Sequence, residues 1–430
     1  MAQATKLFCT TTRLSLLKPM MDNNNISAKR ANTEGQQDYR FAFAIMTLLF
    51  FFWGFITVLN DILIPLLKDS FDLSYTQAML VQFCFFSAYL IVSPFASKLV
   101  GKVGYQKGIV FGLLTAAVGC FLFYPSASVG EYELFLFSFF ILASGITILQ
   151  VAANPYVIAM GPQYTASSRL NLAQALNSVG TTVAPIIGAA LILGATTTDA
   201  SSVQGPYLII GVLLVFVAII FFFIKLPVLV DMQISGTPIG SVWDHKSLVF
   251  GVLAIFLYVG GEVSIGSFLV SYFSENSIAG LSSAEAGEMV AYYWGAAMIG
   301  RFVGAAMMRV VSDTKYLAVN AVIAIVMIIV SINTTGDVAM WSIVSVGFFN
   351  SIMFPTIFAL AIRGLGPLTT KGSGLICQAI VGGALIPVIQ GIAADNIGIQ
   401  MSFLVPMICY IYICWYALNG DRFIADNGYR

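Results

Sequence analysis

A chain of 430 residues that is 59% hydrophobic and only 9% charged lacks the polar side chains needed to cover a water-exposed surface, since soluble domains carry about 25% charged residues. A mean hydropathy of +0.90 points to lipid as the solvent. Twenty Lys and Arg against twenty Asp and Glu give a formal net charge of zero, and their scatter leaves no basic patch for nucleic acid. The expected class is an all-α integral membrane protein, not an enzyme.

Residues 1–40 are polar and mixed, with Lys6, Arg13, Lys18, Lys29, Arg30 and Arg40 and no long apolar stretch. That pattern is not a secretory signal peptide. It reads as a disordered cytosolic N-terminal tail, with Met20 and Met21 as alternative starts and a transit peptide as the weaker reading. A hydrocarbon core about 30 Å thick takes roughly 20 apolar residues per helix. Twelve stretches qualify, near 41–67, 75–99, 108–126, 133–160, 169–194, 206–225, 248–273, 288–311, 316–334, 338–362, 372–394 and 398–418. They are too long and too uniformly apolar for barrel strands.

Basic residues are retained on the cytoplasmic side of a membrane, which sets the orientation. With the tail inside, the inner segments hold every Lys and Arg except Lys68, nineteen of the twenty. A wrong span count would invert each later loop and destroy that asymmetry, so both termini are expected to be cytosolic.

The chain also repeats itself at an offset of about 200 residues. Leu73-Ser-Tyr-Thr-Gln-Ala78 answers Leu281-Ser-Ser-Ala-Glu-Ala286. Gln150 precedes Pro155 as Asn350 precedes Pro355, and Arg169 precedes Pro185 as Lys371 precedes Pro387. The expected domains are an N-terminal six-helix half (41–225), a cytosolic linker (226–247), a C-terminal six-helix half (248–418) and a short cytosolic tail (419–430). Two such halves rocking about a central site describe the major facilitator architecture.

Ionisable groups within a bilayer cost about 2.5–3.5 kcal/mol each on insertion scales and mark function by default. Of the twenty carboxylates, Asp61 in the first span and Glu262 in the seventh lie well inside, and neither has a Lys or Arg within reach on its own helix. Each is a candidate to take up and release a proton; each alone also has a bland reading as a structural hydrogen-bonding group. Arg301 reads as a brace near the inner end of the eighth span, where a long side chain snorkels. Gln150, Asn154, Gln174, Asn177, Asn350 and Gln378 cluster at comparable depths. Their carboxamides donate and accept, which suits a ligand rich in hydroxyls or, equally, helix–helix glue. The four prolines are expected to loosen the helices beside them. Trp53 stacks on a sugar ring or fills a lipid-facing position. His245, the only histidine, reads as a surface residue of the linker.

No catalytic triad, phosphate loop or Cys pair is present, so no catalytic residue, metal site, disulfide or cofactor is expected. The energy source left is an ion gradient.

The segments Leu59-Asn60-Asp61-Ile62-Leu63, Ala152-Ala-Asn-Pro155, Arg169-Leu-Asn-Leu-Ala-Gln174 with Asn177-Ser178, Tyr258-Val-Gly-Gly-Glu-Val-Ser-Ile-Gly266 and Phe354-Pro-Thr-Ile-Phe358 together resemble the fucose–galactose–glucose:proton symporter family of the major facilitator superfamily. The resemblance covers roughly residues 40–418. It implies proton coupling at Asp61 and a sugar site lined by Trp53, Gln150 and Asn177; Asn60, beside Asp61, is a further candidate for sugar contact. Fucose-type members carry a glutamate where this chain has Gln150 and a glutamine where it has Glu262, a departure that resembles the glucose/galactose branch. The resemblance therefore implies a multi-pass inner-membrane importer of glucose or galactose with proton symport, monomeric by analogy with the fold. Sodium as the ion, fucose or N-acetylglucosamine as the sugar, and a non-transporting sugar sensor stand as alternatives.

Overall fold

The computed structural model of the chain describes residues 39–72, 80–188, 203–224, 226–227 and 240–426. Met1–Ala42 and Phe43–Arg430 form two compact units; of the first only the opening of a helix is described. Nearly all of the expected tail 1–40, the loop 73–78 and most of the linker 226–247 lie outside the described residues.

Among the described residues, helices stand where twelve spans are expected. They are α1 Arg40–Ser70, α2 Leu80–Val103, α3 Tyr105–Val129, α4 Tyr132–Ala159, α5 Ala166–Gly188 and α6 Gln204–Phe223. After the connection come α7 Lys246–Ser274, α8 Ser283–Met307, α9 Asp313–Asn333, α10 (Gly336–Asn350 and Met353–Ala361), α11 (Thr369–Gln378 and Gly382–Ile397) and α12 Leu404–Asp426. A helix satisfies every interior backbone group within itself, which is what hydrocarbon demands. Large apolar side chains such as Phe95, Phe111, Ile209, Phe216 and Phe222 are exposed on the outside of the bundle, where only lipid suits them.

Several expectations change. The last helix continues past residue 418 to Asp426. Pro155 and Pro387 sit inside unbroken helical segments. Among the described residues only Pro355 of the four prolines lies beside a break, two residues into the second piece of α10, while α11 breaks at the 3-10 turn Ala379–Val381 well before its proline. A proline at the start of a helical piece loses no internal hydrogen bond, so the chain breaks before Pro355 and not at it. His245 is half-buried between a 3-10 turn and α7, and its Nδ1 is enclosed without a partner.

Ten helices are long and apolar enough to cross a membrane; among the described residues α5 and α8 fall short. Those two pack against each other. Helices withdrawn from lipid by mutual packing tolerate polar residues that lipid-facing helices do not, and α5 carries Ser167, Ser168, Arg169, Asn171, Gln174 and Asn177 while α8 carries Arg301.

Contacts between the sets α1–α6 and α7–α12 come in exchanged pairs. Helix α5 packs on α8 as α11 packs on α2, and α4 meets α11 as α10 meets α5. The pairing α2/α8, α4/α10, α5/α11 is that of a two-fold repeat. Within each set a glycine lets two helices touch backbone to backbone. A methyl group at Gly180 would overlap the Phe51 carbonyl oxygen, and one at Gly382 would overlap that of Phe256. Small residues at such crossings are the usual device for close helix packing in lipid.

Candidate functional site

Glu262 lies in the middle of α7, one helical turn after Tyr258. The spacing of four places both on one face, and the Tyr258 hydroxyl donates to Glu262 Oε1 at 2.7 Å. The carboxylate is not the isolated charge that its own helix suggests. Arg301 of α8 reaches it, with Nη2 3.7 Å from Oε1, and the two side chains are only 14% and 13% exposed. The expectation that Arg301 braces the inner loops gives way to a different placement. Its Nη1 donates to Ser178 Oγ of α5, and its Nε to the carbonyl of Ser351 at 3.2 Å, in the break of α10. Sequence separation hides this pairing, because a salt bridge between helices depends on how they cross.

Around this pair lies a buried polar cluster. Asn350 donates to the hydroxyls of Tyr293 at 2.7 Å and Tyr410 at 3.0 Å, and its carbonyl oxygen has no partner. Tyr258, Tyr293 and Tyr410 are all within electrostatic reach of Glu262. The other helix set repeats the motif without the charge: Gln150 of α4 donates to Tyr89 of α2 at 2.7 Å, and its carbonyl oxygen is likewise unpartnered.

The other predicted residues are spread over different roles. Asn177 donates to the Phe50 carbonyl at 2.9 Å and so ties α5 to α1. Gln378 donates to the Leu90 carbonyl at 3.1 Å, joining α11 to α2. Asn154 is fully buried with neither amide atom partnered. Gln174 is buried, and its backbone carbonyl accepts the Ser178 hydroxyl at 3.0 Å. Trp53 is buried against Phe50, with ring centroids 5.2 Å apart, and does not face lipid. The side chains of Asn60 and Asp61 lie outside the described residues.

Sequence reasoning missed the tyrosines and Ser178. Two signals were available: the four-residue step from Tyr258 to Glu262, and the repeat that sets Tyr89 and Gln150 against Tyr293 and Asn350. It also missed a second polar layer at the end of the bundle where α5 and α9 begin. There Asp313 accepts Ser167 Oγ at 2.8 Å and pairs with Arg363 at 2.5 Å. Ser373 donates to the Val151 carbonyl at 3.0 Å, Tyr105 meets Thr370 at 3.0 Å, and Asn171 donates to Thr356 at 3.3 Å. Each of these bonds except Asp313–Arg363 crosses between the two helix sets, so this end is fastened shut. Two cavities, of about 330 and 400 Å³, contain none of the predicted site residues.

Among the described residues, the centre offers one carboxylate, Glu262, beside the Arg301 guanidinium. Carboxamide and phenol groups around it donate and accept hydrogen bonds. No group of three or more potential metal ligands occurs among the described residues.

The chain is 54% identical over 400 residues, 91% of its length and 96% of the other, to the glucose/galactose transporter of Brucella abortus biovar 1 (strain 9-941). It is 34% identical over 89% of its length, and 93% of the other, to the L-fucose-proton symporter of Escherichia coli K12. Among solved structures, the transporter FucP in its outward conformation superposes with a TM-score of 0.83 at 33% identity, over 89% of this chain and 99% of that one. Residues 41–377 match the Major Facilitator Superfamily, and with ten apolar spans and near-full-length relatives this multi-pass membrane chain belongs to that superfamily.

Proposed function

We propose that the chain is a secondary active transporter that imports a hexose, glucose and/or galactose, together with a proton by alternating access across the inner membrane. The observation that carries this reading is the 54% identity, over almost the whole of both chains, to a protein named glucose/galactose transporter. The closed polar layer at one end supports an outward-facing state, and the bias of basic residues supports that end being cytosolic.

In this reading 41–225 and 248–418 are the two moving halves. Asp61 takes a proton from the outer side, and Glu262 shares it or bonds sugar hydroxyls. Gln150, Asn350 and their tyrosines, with Trp53, Asn60, Asn154, Gln174, Asn177 and Gln378, are the candidates for contact with sugar. Asn177 and Gln378 now bond backbone carbonyls, so they serve the sugar only by exchanging partners as the halves rock. Such exchange is affordable because a buried amide gains only about 1 kcal/mol net from one hydrogen bond.

The test is uptake of radiolabelled galactose into proteoliposomes under an inward proton gradient, then under a sodium gradient, with glucose, fucose and N-acetylglucosamine as competitors. Proton-driven accumulation that glucose blocks and fucose does not is the expected result. Accumulation by an Asp61→Asn, Glu262→Gln double variant would overturn the coupling scheme. Accumulation driven only by sodium would replace the ion, and competition by none of the sugars would overturn the substrate.

A further inference from the structure

Arg301 is the one described side chain that touches a buried carboxylate of the second helix set and a side chain of the first at once. Three directions of its guanidinium are occupied: Glu262 Oε1, the Ser351 carbonyl, and Ser178 Oγ across the interface. The Ser178 hydroxyl has its own proton committed to the Gln174 carbonyl, so its oxygen is free to accept from arginine. Every one of these bonds has a consistent donor and acceptor. The groups facing Glu262 among the described residues are Tyr258 on its own helix, Arg301 and Tyr293 on α8, and Tyr410 on α12; Arg301 is the one cation among them.

A buried charge is tolerated when an opposite charge compensates it, and is costly when that partner is removed. With Glu262 ionised, the pair is neutral. With Glu262 protonated, the guanidinium stands uncompensated at the plane where the two halves must slide, held by two neutral acceptors. Its position between the halves makes this matter, because Ser178 moves with the other half.

We propose that Arg301 is the positioning residue that reads the protonation state of Glu262 and transmits it, through Ser178, to the contact between the halves. This rests on the proton-coupled sugar reading above. Arg301 makes the proton a condition of the rocking step and need not touch the sugar.

The experiment compares wild type, Arg301→Gln, Arg301→Lys and Ser178→Ala in proteoliposomes by galactose counterflow and proton-driven accumulation across a pH series. In detergent without sugar, thermal unfolding is followed over the same pH series. In Arg301→Gln, counterflow persists and accumulation falls to equilibration. The pH at which counterflow is half-maximal, and the matching inflection in thermal unfolding, both move upward, because the opposite charge 3.7 Å away had favoured the ionised carboxylate. Arg301→Lys restores the pH midpoint, having a charge but no fork to span Ser178 and Ser351. Ser178→Ala leaves the midpoint in place and lowers accumulation. An unshifted pH profile in Arg301→Gln, or full accumulation by it, would overturn the proposal. If Arg301 is only a brace, counterflow falls with folded yield in every variant and neither midpoint moves. Absence of galactose transport in wild type would sink the sugar reading, and the detergent arm would still decide the link between Arg301 and Glu262.

Discussion

The two helix sets hold the same pair of side chains at corresponding positions of the repeat: Gln150 with Tyr89 in the first, Asn350 with Tyr293 in the second. Among the described side chains, the second alone adds an ion pair beside it, Glu262 with Arg301. The shared pair is what two sides of one polar cavity need, since a carboxamide and a phenol can be satisfied by each other or by a ligand. An ion pair against one side is what, in the scheme proposed above, lets protonation of Glu262 change how that half meets the other. In the proposed scheme the neutral pairs serve recognition and the Glu262–Arg301 pair serves coupling, together with Asp61, whose side chain lies outside the described residues.

The comparison can be broken most severely at the helix crossings. Gly180→Leu and Gly382→Leu each force a side chain into a backbone carbonyl, an overpacking worth about 3 kcal/mol or more. Both variants are expected to lose folded protein to a similar degree, measured as monodisperse yield in detergent. A large difference between them would show that the halves are not packed alike.

Next in size is the charge itself. Glu262→Gln is expected to reduce proton-driven accumulation to passive equilibration. Adding Gln150→Glu is not expected to restore it, because the described partner of Gln150 is Tyr89 and not an arginine. Restoration by the double variant would mean that either half can carry the coupling group, and the asymmetry would lose its meaning.

A smaller effect sharpens the symmetric part. Tyr89→Phe and Tyr293→Phe each remove one buried hydrogen bond, worth about 1 kcal/mol net. If both pairs face sugar, each variant raises the half-saturating galactose concentration about fivefold. An effect confined to Tyr293→Phe would assign sugar contact to the charged half alone.

Smallest is Asn154→Leu. Asn154 is buried with both amide atoms unpartnered, whereas Asn350 at its own depth of burial holds two tyrosines. An unmet amide contributes nothing that leucine cannot replace, so the melting temperature in detergent should stay level or rise. A marked fall would reveal a bond that Asn154 makes in another state of the transport cycle.

Much of this was legible in the residues. Twelve apolar runs, the offset of 200 residues and the lone carboxylate of the seventh span are local patterns, and each reappears as a helix, an exchanged packing pair or a buried charge. What was not legible lies between helices. Asn177 and Gln378 read equally as ligand contacts or as helix–helix glue, and each bonds a backbone carbonyl of a neighbouring helix, because a carboxamide does not declare in sequence which way it points. Arg301 read as a brace because its partner stands 39 residues away on another helix. Loosening was expected beside the four prolines, yet α4 runs unbroken through Pro155 and the breaks in α10 and α11 fall before Pro355 and Pro387, since a helix is interrupted where packing requires it and proline only limits the options.

By itself the sequence determined that this chain lives in lipid, spans it with helices and repeats itself, because hydrophobicity and periodicity act on residues one at a time. Tertiary structure alone decided that the two most polar helices would face each other, that Glu262 would meet Arg301, and that Arg301 would touch both halves. Those outcomes depend on crossing angles and close backbone approach, which only the assembled bundle specifies.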